Sequence, residues 1–339
     1  MQEYLQSYEL ILTTKSPVHI GSGKTLTKKE YLFDAVSNQV SFLDEERFFA
    51  FLIERGLTDA YEDYIMYRPN WHLDMFLKKN NVTDSDIRRF TSCKIDAGDA
   101  VQGRVKGIQQ FVRNGCGEIY VPGSSIKGAL RLVLLKELLL TKPDPNTDRS
   151  PRGLSMYEAN HLPNSLFSGL RVSDSTPISQ SQMCLTQKID DFADGTYTRL
   201  NICRECLIPD TEIRCVLTLD QSVLHGRITK EHLERAIATV SEYYQKTVLR
   251  HYPQAVNLMN SRTLLLGGGV GYQSKTVTDP FYGAGALKAT AEFLDRAYRK
   301  HNHMNDIAGG VAPRALKQTE YHYDGRSVYP YGVCEVSIR

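Results

Sequence analysis

The sequence predicts an α+β fold. Segments whose apolar residues alternate with period two predict strands, and segments with apolar residues three and four apart predict helices. Taken in order, these segments follow a β-α-β-β-α-β pattern in each half of the chain, which is the ferredoxin-like, RRM-like arrangement, here with helical and loop insertions. The chain has 339 residues, 41% of them hydrophobic, which is enough to bury a full core.

The first half opens with a strand in which Tyr8, Leu10 and Leu12 share one side. Two apolar runs at 31–36 and 40–43 flank a polar turn and predict a hairpin. Asp44 is the expected N-cap of the helix that follows. Two or three short helices come next, capped by Asn70 and Thr83, at about 58–67, 71–79 and 84–90. Residues 91–121 are expected to be extended.

The most apolar helix is predicted from Ile126 to Leu140, with Ser124 or Ser125 as its cap. A polar stretch with three prolines follows it and predicts a linker or mobile loop at 143–152. We therefore divide the chain into an N-terminal RRM-like domain with a helical insertion, this linker, and a C-terminal RRM-like domain, over residues 1–142, 143–152 and 153–339.

The second half of the chain also contains both strand and helix patterns. Strands are expected at 170–173, 183–189, 197–208 and 212–219, then a short strand into Gly267 and a last strand at 333–338. The pair of strands around Pro209-Asp210-Thr211 predicts a hairpin. Two helices complete the half, at 229–250 and 286–301.

Three glycine-rich basic loops are the main functional signal. Glycine lets a backbone approach a bulky anion, and successive free N–H groups with a nearby lysine form an anion site. We name them loop 1 (residues 19–24), loop 2 (122–131) and loop 3 (267–276). Three such loops indicate a polyanion, most plausibly a nucleic-acid backbone, and the candidate binding residues in them are His19, Gly21, Gly23, Lys24, Ser124, Ser125, Lys127, Arg131, Gly267, Gly268, Gly269, Gly271 and Lys275.

The charge pattern agrees with a polyanionic ligand. The net charge is only +2, but residues 101–152 carry nine Lys or Arg against four Asp or Glu. A local basic face on a nearly neutral protein suits a surface that binds a nucleic-acid backbone. Lys127 and Arg131, four residues apart, are expected on one face of their helix.

The sequences of these loops and their flanking residues resemble the motifs of a known family. The segments Leu10–Gly23, Tyr120–Arg131 and Gly267–Thr276 look like motifs of the RAMP superfamily of CRISPR-associated proteins, in an order most similar to the fifth subunit of type III-A Csm effector complexes. The resemblance implies RRM-like domains and a non-catalytic, RNA-binding subunit that contacts the 3′ region of the guide RNA (crRNA). It also implies a part in crRNA maturation, complex assembly and antiviral defence, with other RAMP subunits as partners, and leaves open a recruited host nuclease.

Two catalytic alternatives stay open. Some RAMP relatives process guide RNA with a histidine as acid or base, for which His19 is the candidate here. Asp96 and Asp99 lie in an insertion that resembles the aspartate-bearing loop of target-cleaving backbone subunits. A third possibility is a protein–protein capping subunit whose loops pack against a neighbour.

Cofactors, metals and membranes are not expected. Cys203 and Cys206 lie in a period-two segment, so we interpret them as core thiols of a strand. Ser274 stands where a P-loop needs its second glycine, so loop 3 is not expected to bind ATP. Residues 1–7 are polar and no run of 18 apolar residues occurs, which predicts a cytoplasmic protein.

Overall fold

The computed structural model describes residues 4–34, 36–98, 100, 105–144, 146–253, 255–320 and 328–339. Its strands are β1 Leu5–Thr14, β2 Gly21–Thr27, β3 Tyr31–Asp34, β4 Gln39–Leu43, β5 Thr91–Asp96, β6 Gly107–Phe111, β7 Leu170–Val172, β8 Met183–Phe192, β9 Tyr197–Leu207, β10 Glu212–Asp220, β11 Thr263–Leu265, β12 Ala315–Thr319, β13 Tyr329–Pro330 and β14 Val333–Ile338.

The α-helices are α1 Glu45–Glu54, α2 Thr58–Tyr67, α3 Leu73–Lys79, α4 Asp84–Phe90, α5 Gly123–Thr141, α6 Pro151–His161, α7 Asn164–Phe167, α8 Gln221–Leu224, α9 Lys230–Thr247, α10 Tyr272–Lys275, α11 Thr278–Tyr282 and α12 Ala286–Ala297. Short 3₁₀ turns lie at Gln180–Gln182, Leu249–His251, Gly283–Gly285 and His303–Gly309. Within the described ranges, no helix combines the length and apolar content needed to cross a bilayer.

The first sheet has the strand order β11-β14-β1-β10-β7, and all neighbours in it are antiparallel. Taken along the chain, β1, α5, β7, β10, α9 and β14 form a β-α-β-β-α-β unit whose four strands have the ferredoxin-like order. Apolar residues of α5 and α9 share one buried cluster with those of β1 and β10. The predicted α+β fold of ferredoxin-like type is confirmed.

The second sheet has the order β2-β6-β9-β8-β5-β4-β3, and β12 pairs with β8. Helices α1 to α4 are an insertion between β4 and β5 with a separate aromatic core, which includes Phe48, Tyr64 and Phe90. Strands from both 1–142 and 153–339 enter each sheet. The division of the strands between the two sheets therefore does not follow the division of the sequence into residues 1–142 and 153–339.

The hairpin predicted around Pro209 is wrong. β9 belongs to the second sheet and β10 to the first, so the chain changes sheet at residues 208–211. Thr14, fully buried, holds this crossover: its hydroxyl donates to the Ile208 carbonyl at 2.6 Å and accepts from the Thr211 N–H at 2.9 Å. Asp210 has a φ of 62° and donates its N–H to the Thr14 carbonyl at 2.7 Å. The end of β1 therefore fixes the turn.

Most other element predictions are confirmed, with differences at the ends. Asp44 accepts from the Arg47 N–H and caps α1, and Thr83 forms a capping box with Asp86. His72, not Asn70, is the N-cap residue of α3, and it makes no side-chain cap bond. Helix α12 ends at Ala297, four residues before the predicted end. Residues 143–150 lie between α5 and α6, as expected for a connection, and Pro145 lies outside the described residues.

Candidate nucleic-acid interface

Loops 1 and 3 are joined directly. The N–H of Gly268 donates to the carbonyl oxygen of His19 at 2.7 Å. A β-carbon on Gly267 would lie 2.3 Å from that same oxygen, and one on Gly268 would lie 3.1 Å from the imidazole Cδ2. Only glycine permits this approach, because any side chain at Gly267 would overlap the His19 backbone. The glycines at this end of loop 3 therefore hold loop 1 in place.

The side chain of His19, the first residue of loop 1, is buried. Its Nδ1 lies 2.7 Å from the carbonyl oxygen of Glu205, which can only accept, so Nδ1 carries the proton. The residue is 5% exposed, and burial lowers the pKa of its imidazole to about 4, with a smaller lowering from the charge of Arg204. The ring is therefore neutral at pH 7, with its lone pair on Nε2.

Loop 1 itself faces outward. Gly21, Gly23 and Lys24 are exposed at the start of β2, where the pairing with β6 is irregular. Gly23 has a φ of 86°, a conformation that favours glycine. The Lys24 ammonium lies 2.9 Å from Glu45 of α1, so its charge already has a partner.

A cleft of about 270 Å³ lies between loops 1 and 3 and strands β6 and β9. Its lining includes His19, Gly21, Gly23, Lys24, Thr25, Gln109, Gln110, Arg204 and Gly268. Arg204 is the buried cation of this cleft, at 8% exposure. Its Nε donates to the Gln109 side chain at 2.8 Å, and its guanidinium lies 5.2 Å from the centre of the Tyr331 ring. Its Nη1 is buried, and within the described part of the chain it has no hydrogen-bond partner.

Arg204 adjoins loop 3 as well. A β-carbon on Gly269 would lie 2.2 Å from Arg204 Nη1, so the glycine backbone lies directly against the guanidinium. Gly269 and Gly271 both have a φ of 90°. Lys188, two residues beyond the β8 partner of Arg204, adds a second cation. Burial, and then the charge of Arg204, lowers the pKa of Lys188 to about 8.

Loop 2 begins α5 and differs from the prediction. The helix starts at Gly123, and neither Ser124 nor Ser125 caps it. The Gly123 N–H instead donates to Asp174 at 2.8 Å. A β-carbon on Gly123 would lie 2.2 Å from the Val172 carbonyl, so this glycine allows α5 to pack on β7. The first helical N–H is therefore already occupied by a carboxylate of this chain.

The two cations of loop 2 have different surroundings. Arg131 is paired with Glu158 and lies 5.0 Å from the Phe167 ring centre. Lys127 is half-buried, and among the described residues no carboxylate pairs with it. Burial, followed by the charges of Arg171 and Arg131, lowers the pKa of Lys127. Lys127 is therefore the loop 2 cation that is available to a ligand.

A second cleft, of about 640 Å³, joins loop 2 to the end of loop 3. Its lining includes Ser124, Ser125 and Arg131 of loop 2 and Lys275 and Thr276 of loop 3. Lys275 is exposed, and no ion pair to it occurs in the described part of the chain. Loop 3 thus contacts loop 1 at its first glycines and faces loop 2 at its lysine, which brings all three motifs to one region.

The basic segment 101–152 does not form one continuous face. Arg113 makes a two-point ion pair with the fully buried Glu205 at 2.9 Å. Lys136 is buried and donates to the carbonyls of Gln273 and Ser274 at 2.7 and 3.0 Å. Composition could not separate these internal cations from the solvent-facing ones, because both raise the charge count equally.

The remaining candidates are two aspartates and a pair of cysteines. Asp96, exposed at the end of β5, accepts from the Gly98 N–H at 2.9 Å, as turn residues do, and Asp99 lies outside the described residues. Cys203 and Cys206 are buried in β9, which confirms the strand interpretation. No group of three or more His, Cys, Asp or Glu that could hold a metal ion occurs among the residues described.

Arg204 was missed by the sequence analysis. It lies inside the Cys203–Cys206 segment, whose cysteines suggest either a metal site or the core of a strand. A usable signal was present, because the neighbours of Arg204 on the same side of its period-two strand, Ile202 and Cys206, are apolar or thiol. A charged residue in such a run is either exposed or, if buried, needs a binding partner.

Comparisons with known proteins agree with this architecture. Residues 11–214 match the family model described as RAMP superfamily. The CRISPR system Cms protein Csm5 of Mycobacterium tuberculosis (strain CDC 1551 / Oshkosh) is 28% identical over 384 aligned positions, covering 100% of this chain and 99% of that protein. The Csm5 protein of Streptococcus thermophilus is 27% identical over 299 positions, 82% of each chain.

Two solved structures share the fold. One is a chain of the cryo-EM structure of a Csm-crRNA-target RNA ternary complex of a type III-A CRISPR-Cas system, with a TM-score of 0.65, 17% identity and coverage of 97% of this chain and 100% of that one. The other is the crystal structure of T. onnurineus Csm5, with a TM-score of 0.61, 16% identity and coverage of 96% and 99%. The chain therefore belongs to the RAMP superfamily, as a Csm5-like member of it.

Proposed function

We propose that this chain is a non-catalytic RNA-binding subunit of a type III-A CRISPR (Csm) effector complex. In this role it contacts the 3′ region of the guide RNA, supports its maturation and the assembly of the complex in the cytoplasm, and has other RAMP subunits as neighbours. Relatives named Csm5 along the whole chain, and a fold neighbour taken from a complex that contains crRNA, support the assignment.

The observation that carries the RNA-binding part is the convergence of the three loops. The His19–Gly268 hydrogen bond fixes loop 1 against loop 3, and the larger cleft brings Lys275 of loop 3 to the start of α5. Around this region lie cations without a carboxylate partner among the described residues, namely Lys127, Lys188, Arg204 and Lys275. Unpaired cations beside exposed glycine backbone favour phosphate over base edges as the group that is bound.

The geometry disfavours a nuclease that uses His19. A general acid or base works best with a pKa near the working pH and within reach of its substrate. The pKa of His19 lies near 4, its Nδ1 is engaged by a main-chain carbonyl, and its side chain is buried below the loops. These features suit a residue that supports loop 1.

Salt dependence of RNA binding tests the proposal against a purely protein-binding cap. The affinity of the full-length chain, or of the particle that contains it, for a single-stranded guide RNA would be measured from about 50 to 300 mM KCl. Each phosphate contact contributes roughly −0.7 to the slope of log K against log salt on a single strand. We expect a slope of about −2 or steeper. A slope near zero would favour a cap that contacts protein alone.

A further inference from the structure

The cleft between loops 1 and 3 contains a feature that a packed protein interior does not tolerate without compensation. Arg204 is more than nine-tenths buried, and its Nη1 has no hydrogen-bond partner among the residues that the structure describes. A guanidinium is charged under all conditions in which proteins fold, and burying a charge is costly unless it is paired. Among the described residues no carboxylate pairs with Arg204, so its charge is uncompensated within this part of the chain.

The neighbours of Arg204 hold it in place without neutralising it. Gln109, its partner on the adjacent strand β6, accepts from Nε at 2.8 Å, and the Tyr331 ring lies against the guanidinium plane. Both contacts fix the direction of the side chain, and neither carries a negative charge. His19, which shares the cleft, is neutral at pH 7 and adds no cation that would repel or replace Arg204.

The surrounding backbone suits a compact anion. Gly21, Gly23 and Gly268 line the cleft, and Gly269 lies against Nη1, so four positions around the arginine present main chain without side chains. A volume of about 270 Å³ admits a phosphate and part of its sugar but leaves little space for a folded peptide segment. Glycine backbone with a buried arginine is the arrangement that recognises phosphate oxygens.

We propose that this cleft is a preformed seat for one phosphate group, with Arg204 as its buried cation and Gln109 as the residue that positions it. The inference rests on the proposed RNA-binding function and assigns one phosphate of the bound strand to a defined place. Two sources share this chemistry, an internal phosphodiester and a terminal phosphate, and the experiment below separates them.

The test combines one protein variant with a modified RNA. Full-length wild type and Arg204→Gln would be titrated with a single-stranded oligoribonucleotide in which one linkage at a time is an uncharged methylphosphonate. In the wild type, one linkage should cost about tenfold in affinity, as expected for loss of a charge-assisted contact. In Arg204→Gln the overall affinity should fall about tenfold, and the same linkage should then cost little.

Oligonucleotides with different chemical groups at their ends distinguish the two sources of the phosphate. Oligonucleotides with hydroxyl ends keep the Arg204 effect if an internal phosphodiester occupies the seat. If a terminal phosphate occupies it, the effect appears only with RNA that carries a 3′- or 5′-phosphate. Either pattern supports the proposal. Equal overall affinities and equal linkage profiles in both proteins, with either kind of end, would overturn it.

Matched variants separate the seat from general effects. Arg199→Gln removes an exposed arginine of the same strand that is paired with Glu320, and it should leave the linkage profile unchanged. Arg204→Lys keeps the charge and the stem and serves if the glutamine variant does not fold; its profile should flatten at the same linkage. If neither variant folds, a wild-type scan that shows no dominant linkage and no gain in affinity from a terminal phosphate would still contradict the seat. Failure of the wild type to bind RNA would instead overturn the proposed function itself.

Discussion

The carbonyl oxygen of His19 accepts a hydrogen bond from the N–H of Gly268, 249 residues further along the chain. This contact joins the first and last glycine loops into one structural unit. The side chain of His19 makes a second bond: its Nδ1 donates to the carbonyl oxygen of Glu205, which attaches the residue to β9. The histidine that suggested catalysis is thus the residue around which the loops assemble.

The depressed pKa of His19 predicts a specific acid sensitivity. In the folded state the pKa is about 4, below the ordinary value of 6.5, so the unfolded chain binds a proton that the folded chain refuses. Stability is therefore complete above pH 6.5 and declines as the pH falls from 6.5 toward 4. The contribution lost by pH 4 should be roughly 2–3 kcal/mol.

Urea unfolding at several pH values, compared with His19→Asn, isolates this contribution. Asparagine can place an amide donor near the position of Nδ1 but does not titrate, so the difference in unfolding free energy between the two proteins should shrink as the pH falls below 6.5. Other titrating groups cancel in the comparison. A difference that stays constant from pH 7 to pH 4 would show that His19 is not the neutral, buried group described.

Two glycine-to-alanine substitutions should have opposite effects. At Gly269, with a φ of 90° and Arg204 Nη1 2.2 Å from the added carbon, alanine should destabilise the protein by about 2 kcal/mol or more. At Gly128, in the exposed interior of α5 with open space around it, alanine should stabilise it by up to about 1 kcal/mol. Thermal unfolding of both variants checks the pair. A tolerated Gly269→Ala would show that loop 3 does not pack closely on the arginine.

The loop lysines should account for part of the salt dependence. Lys127 and Lys275 have no carboxylate partner among the described residues, so Lys127→Ala with Lys275→Ala should make the slope of log K against log salt less negative by about 1.4. Arg131→Ala should change the slope less, because Glu158 already pairs with that charge. Lys288→Ala, on the exposed face of α12, is the control. The assignment fails if the control and the double variant change the slope equally.

Thr14 should be needed for the change of sheet at residues 208–211. Thr14→Val keeps the shape but removes the bonds to the Ile208 carbonyl and the Thr211 N–H, which should cost roughly 1–3 kcal/mol. Thr13→Val, at the adjacent half-buried position on the opposite side of β1, should cost little. Chemical denaturation of the two variants provides the measurement, and equal losses would contradict the role given to Thr14.

Local structure was predictable wherever a short-range signal decides it. Two predicted N-caps are present in the structure, Asp44 and Thr83. The strands predicted from period-two patterns also lie close to their predicted positions, namely β8, β9 and β10. The partner of each strand was not predictable in the same way. A turn at Pro209-Asp210 is compatible both with a hairpin and with a crossover between two sheets. Which of the two forms depends on Thr14, nearly two hundred residues earlier in the chain.

The candidate site shows the same division. The glycine loops could be recognised from composition, but which cations in them are available depends on distant partners. Glu158 pairs with Arg131, and Asp174 occupies the Gly123 N–H at the start of α5. Arg204 gave only a weak local signal, because its burial results from loop 3 folding over β9.

Photo-crosslinking from loop 1 tests the central claim most directly. Ser22 is exposed at the tip of this loop, so a photoreactive residue introduced there would report what the loop faces in an assembled particle with labelled guide RNA. We predict that irradiation attaches the chain to the RNA. Attachment to a neighbouring protein subunit, with no label transferred from the RNA, would contradict the account.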